Sequence, residues 1–219
     1  MKPTEKQLKV LQDYLHNTLT YRESYEEIYD HILSAIEHQP DSIKFEDTIN
    51  TIIINDFGSH KNLLKIEKAG KDALVKECTS KFLDYFISFF KFPALFYTLI
   101  FALAVYYTLT HARLVPFTIE TIFALMTIVP GGIYLLRLYN TGYILDTTRK
   151  SAKDRLFETM AGIPIRIFVV VMVFGNTTSY QIWDADQFYG ITILLLLALV
   201  YNIALYKLYK DEFNTALSK

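Results

Sequence analysis

Three groups of residues in this chain could do chemistry. Asp56-Phe57-Gly58 has the letters of a magnesium-holding kinase triplet. That role needs an upstream catalytic loop, a strand lysine and a glycine-rich loop. Only 55 residues precede the triplet and none of those parts occurs among them. Glu27, His31 and His38, with Asp30 beside them, form an acid-imidazole row of the kind that binds metal. A metal wants three or four converging ligands, and these are strung along more than two helical turns. The row therefore predicts a solvated stripe, or His31 hydrogen-bonded at a helix contact, and no metal site. Arg166 stands inside an apolar run. There a guanidinium needs water, an anion or the interface.

The elements that hold these groups differ along the chain. The 219 residues are 52% hydrophobic and 15% aromatic, with net charge −1. That balance gives no electrostatic footprint for direct nucleic-acid binding. Residues 1–80 carry 10 Lys and Arg against 14 Asp and Glu; residues 81–219 carry 12 against 9. An acidic, ordinary-looking head thus precedes a basic, apolar body. The single cysteine, Cys78, excludes an intramolecular disulfide. Residues 1–20 lack the apolar core of a secretory signal.

Four segments approach the ~20 apolar residues that cross a bilayer as a helix. They are about 92–109, 117–138, 160–179 and 188–209. The third is short at its core, 162–175, and needs an extension on one side. Lys81, Lys91, Arg149, Lys150, Lys153, Arg155, Lys207 and Lys210 fall on one side of four crossings. Arg113, Asp184 and Asp186 fall on the other. Positive residues stay in the cytoplasm, so both termini are expected there. Residues 71–91 are expected to link head and spans. Phe82, Phe86, Phe89 and Phe90 predict an interfacial amphipathic helix over 81–91, or a plain continuation into the first span.

Within the spans, Pro130-Gly131-Gly132 breaks the second in its middle. Either it kinks and packs tightly, with the glycines admitting another backbone, or a discontinuous helix lines a small site. Arg166 either reaches the headgroups, if its span begins near Ile163, or serves a pathway or a lipid phosphate. Asn202 is placed to hydrogen-bond between helices.

In the head, Thr4 and Gln7 have capping-box spacing and start a helix over about 5–18. Thr20 with Glu23, or Ser24 with Glu27, could start a second, whose apolar face is Ile28, Ile32, Ala35 and Ile36. A third carries Phe45, Ile49, Ile52, Ile53 and Phe57. Gly58 then ends it, Ser59 caps a fourth, and Leu63, Leu64 and Ile66 follow. The triplet is therefore a turn between helices.

The stretches YEEIYDHILSAIE, 25–37, and FEDTINTIIINDFGSHKNLLKI, 45–66, resemble the HAAS-type and permease-prefix domains of bacteria. Glu26, Glu27, Ile28 and His31 carry the first part of that pattern, and Glu46, Phe57 and Gly58 the second. Thr48 departs from it, since alanine is common there. The resemblance covers residues 1–70. It implies a small cytoplasmic helical module before membrane segments, of the type encoded beside a PadR-like regulator. It brings no catalytic residues.

The expectation is an all-α protein: a cytoplasmic bundle over 1–70, a link over 71–91 and four spans over 92–219. Its setting would be the bacterial inner membrane. Its head would bind a cytoplasmic or membrane protein through Glu26, Glu27, Asp30 and His31, and self-association stays open. No hydrolase, zinc-helix, cysteine-pair or phosphate-loop pattern occurs, so no enzyme, metal or cofactor is assigned. The alternative is a small transporter, or an accessory subunit of an ABC-type transporter, using Arg166 and the Pro130 break.

Overall fold

The computed structural model describes residues 2–40, 43–111, 116–141, 151–177 and 188–213. Arg113, Arg149, Lys150, Asp184 and Asp186 lie outside them. The described residues form helices α1 (Glu5–Thr18), α2 (Arg22–Glu37), α3 (Phe45–Phe57), α4 (His60–Ser88), α5 (Ala94–His111), α6 (Pro116–Thr141), α7 (Ala152–Thr177) and α8 (Phe188–Leu208). A π-helix, Tyr209–Phe213, follows α8, and no β-strand occurs among the described residues. Two compact units result: Met1–Lys76 with Asp146–Arg155, and Glu77–Leu145 with Leu156–Lys219.

The N-terminal unit is built on the apolar stripes of α1 to α3 and Leu63 of α4. Leu11, Leu15, Ile28, Ile32, Ile36, Ile49, Ile52, Ile53 and Leu63 form one buried cluster. Leu64 and Ile66, expected beside Leu63, are exposed instead. Leu64 lies about 100° around the helix from Leu63, off its buried side, and Ile66 is exposed although it lies one turn beyond Leu63. The start of α1 is a full capping box: Gln7 N–H donates to Thr4 Oγ1 at 3.4 Å and Thr4 N–H to Gln7 Oε1 at 2.9 Å. Helix α2 begins differently from expectation. Its N-cap, Tyr21, gives no side-chain cap. Instead the backbone N–H groups of Thr20 and Tyr21 both donate to Oε1 of buried Glu67 at 2.8 Å. A carboxylate from another helix thus takes the N-cap N–H, which in a capping box the side chain three residues on would accept.

The Asp56-Phe57-Gly58 turn behaves as a helix junction. Gly58 ends α3 with φ +80°, a backbone region that strains any residue carrying a Cβ. Phe57 packs against the core cluster. Ser59 Oγ accepts from Asn62 N–H at 3.2 Å, capping α4, while Asn62 Nδ2 donates back to the Phe57 carbonyl at 2.8 Å.

Among the described residues four helices are long and apolar enough to cross a membrane: Ala94–His111, Glu120–Tyr139, Ala152–Val173 and Phe188–Glu212 mark the qualifying stretches. The chain is a multi-pass membrane protein on that architecture. The third helix differs from expectation. It starts at Ala152, not near 160, because Leu156, Phe157, Met160 and Ala161 extend its apolar run, with Phe157 fully buried. Helix α8 packs against both α5 and α6. The aromatic end of α4 packs on the α8 end of the second unit: Phe82 meets the Tyr201 ring edge-on at 5.0 Å, and Lys207 Nζ lies 4.8 Å from the Phe89 ring centre. Lys81 Nζ donates to Glu77 at 2.7 Å and to Glu212 at 2.5 Å, and the Tyr85 hydroxyl donates to Asp211 at 2.7 Å. The hydrogen bond from Glu212, then that from Glu77, pushes the Lys81 ammonium above its ordinary range.

Candidate functional site

Helix α2 presents one acidic stripe, because Glu23, Glu27 and Asp30 recur at i, i+4 and i+7. Glu26, Glu27, Asp30 and His31 are all exposed. Glu26 lies 3.5 Å from Arg22 one turn back. His31 is occupied within the unit: its Nε2 lies 3.0 Å from Asp56 Oδ2 and its ring stands edge-on to Phe57 at 5.1 Å. His38 turns back on its own helix, with Nδ1 donating to the Ser34 carbonyl at 2.8 Å. The Glu27, His31 and His38 row therefore does not converge. Among the described residues no three His, Cys, Asp or Glu side chains are grouped as metal ligands. Of the expected contact residues, Glu27 and Asp30 are the two that hold no partner among the described residues.

Glu23, at the end of the stripe, does something the sequence did not reveal. Its carboxylate accepts from the Ser151 hydroxyl and, at 3.0 Å, from Ala152 N–H. It thereby caps the first turn of α7 from a distant helix, alongside Ser151 Oγ, which takes Asp154 N–H at 3.2 Å. Burial is the largest single influence on Glu23 and pushes its carboxyl up. The hydrogen bonds from Ser151, its own backbone, Ala152 and Lys153 together outweigh it and hold the carboxyl below its ordinary value.

The intramembrane candidates fall into a different pattern. Helix α6 runs unbroken through fully buried Pro130, so no discontinuous helix forms there. Added side-chain carbons at Gly131 or Gly132 would meet nothing within 4 Å. Among the described residues no backbone comes close to those glycines, contrary to the packing expected for them. Proline lacks the N–H that would bond the carbonyl four residues back, which for Pro130 is that of Met126. Asn202 Nδ2 donates to that carbonyl at 2.9 Å, fulfilling its expected inter-helix role. Pro164 in α7 frees the Met160 carbonyl in the same way, and the Tyr201 hydroxyl donates to it at 2.6 Å. Tyr201 and Asn202 are consecutive on α8, hence about 100° apart around its axis. One helix thus repairs two proline-interrupted neighbours inside lipid, where an unmet carbonyl finds no water. Asn202 Oδ1 is itself buried without a partner.

Arg166 is exposed, 14 residues beyond the first residue of α7 and not within a turn of it. Its guanidinium folds back over Gly162, towards the start of the helix, as long side chains on helices do. None of these residues forms a nucleophile–base pair.

The chain matches no protein-family model, no curated protein and no solved structure.

Proposed function

We propose that this chain is a regulatory or assembly protein of a bacterial cytoplasmic membrane. Its acidic N-terminal unit binds a cytoplasmic or membrane protein partner, and its membrane helices anchor that complex or report on the envelope. Both termini are cytoplasmic in this reading. One observation carries it. The helix that exposes Glu27 and Asp30 also holds, through Glu23, the residues that open α7. A partner that shifts α2 therefore acts on the start of a membrane helix through hydrogen bonds already in place. The same contact supports the topology. It needs the N-terminal unit and residue 151 on one face of the membrane, so α5 and α6 must together cross twice.

The partner surface is expected to be basic, by complementarity to the exposed carboxylates. Transport is less well supported. The cavity in the membrane unit is lined by apolar side chains with Thr127 and Tyr201, and Arg166 is not part of its wall.

The test is photo-crosslinking in living cells from a reactive residue at position 34, next to the stripe, with and without Glu27→Lys and Asp30→Lys. Loss of a discrete crosslinked protein in the charge-reversed chain, with Lys9→Glu on α1 leaving it intact, supports the reading. The same crosslinked species from wild type and from the double reversal would exclude this surface.

A further inference from the structure

The membrane unit contains a cavity of about 240 Å³ between α4, α6, α7 and α8, whose walls include Phe86, Phe123, Ile163, Ile167, Leu197 and Tyr201. Ile163, Ile167 and Leu197 are themselves exposed, so the cavity opens on the outer surface of the bundle. For helices of this length and composition, that surface faces hydrocarbon. Water would find few hydrogen-bonding partners on such walls, whereas a lipid chain already surrounds them.

Arg166 does not line the cavity but sits on α7 between two residues that do, Ile163 and Ile167. Ile163, Arg166 and Ile167 are spaced i, i+3, i+4 and share one face of α7. The guanidinium folds back towards Gly162, with Nη2 3.7 Å from where a Cβ there would sit. Arg166 is exposed and no carboxylate or carbonyl among the described residues pairs with it. A lone arginine on a lipid-facing surface is unfavourable until an anion meets it. Its planar fork fits two oxygens of a phosphate.

We propose that these features form a phospholipid site: one acyl chain fills the cavity, and the headgroup phosphate is held by Arg166. Anionic phospholipids bind in preference to zwitterionic ones, because no carboxylate among the described residues balances the guanidinium charge. The inference rests on α7 crossing the membrane and is independent of any protein partner for the N-terminal unit.

The test is native mass spectrometry of the full chain in detergent, titrated with dioleoyl phosphatidylglycerol and with dioleoyl phosphatidylcholine. Wild type should retain phosphatidylglycerol about tenfold better, the scale of one charge-assisted hydrogen-bonded pair. Arg166→Gln, an exposed change that leaves the core intact, should bring the two lipids to within about twofold of each other. Ile167→Trp, at the exposed rim, should weaken both lipids while keeping the preference. Inorganic phosphate at equal concentration should displace neither, which separates a lipid headgroup from a free anion. The proposal is overturned if Arg166→Gln keeps the wild-type preference, if wild type shows none, if Ile167→Trp retains both lipids like wild type, or if inorganic phosphate displaces them.

Discussion

Asn202 of α8 supplies the donor that Pro130 removes from α6: its side-chain amide reaches the Met126 carbonyl at 2.9 Å. The neighbouring residue Tyr201 does the same for the carbonyl freed by Pro164 in α7, at 2.6 Å. Two prolines that would otherwise leave exposed acceptors in lipid become the points where α8 is fastened. This is a structural role, and it accounts for both Pro130 and Asn202 without a substrate.

If that account holds, Asn202→Leu should destabilise the membrane unit by about 1 kcal/mol, the scale of hydrogen bonds between membrane helices. The sharper expectation is for the pair. In a Pro130→Ala background the residue at 130 regains its N–H, Met126 is satisfied within α6, and Asn202→Leu should cost clearly less. A double-mutant cycle in detergent–SDS unfolding measures that coupling. Additive effects would show that the two residues act independently.

Gly58 should not tolerate alanine. Its φ of +80° strains any Cβ-bearing residue, so Gly58→Ala should destabilise the N-terminal unit by ~1 kcal/mol or more. Faster amide exchange at Ile52 and Ile53 of α3 would register it. Unchanged exchange would mean that the α3–α4 junction adjusts freely.

The Glu23 clasp should depend on pH in a definite direction. Its folded carboxyl lies below the ordinary value of 4.5. The charged form is therefore bound better in the folded state than in the unfolded one. Its stabilising effect is complete above the ordinary value and fades as pH falls through the lowered folded value. Protection of the Ala152 amide against exchange should drop over that acid range in wild type. In Glu23→Gln it should be weaker throughout and follow no such titration. Equal protection in both proteins would show that the carboxylate is not what holds Ala152.

His31 is expected to matter for stability more than for recognition. Its contacts are to Asp56 and Phe57, and the His31 and Asp56 side chains are both exposed. His31→Ala should therefore cost no more than about 1 kcal/mol and leave crosslinking from α2 unaltered. Loss of the crosslink with an intact thermal transition would move His31 into the binding surface.

Local rules carried the sequence reading where the chain obeys them. The Thr4–Gln7 capping box, the apolar stripes of α1 to α3 and the Gly58-Ser59 junction depend on residues within a turn or two of each other, so pattern suffices. Failures came where a distant group replaced a local one. The starts of α2 and α7 are satisfied by Glu67 and Glu23, which come from other helices, and no short-range spacing encodes that. The start of α7 was placed too late because Lys153, Asp154, Arg155 and Glu158 mask its apolar residues. The α8 pairings did have a signal. Each proline within an apolar run implies a carbonyl four residues back in need of a donor, and Tyr201-Asn202 is the polar pair in the most apolar helix.

The central claim is that four helices cross a membrane with the N-terminal unit and the start of α7 on the same, cytoplasmic, face. It is tested most directly by labelling single cysteines with a membrane-impermeant maleimide, in a Cys78→Ser background. Cysteines at Asp30 and Lys153 should be protected in intact cells and react once the membrane is opened, while one at Arg113 should react in intact cells. Positions 30 and 153 reacting from opposite faces would contradict both the topology and the Glu23 clasp on which the functional reading depends.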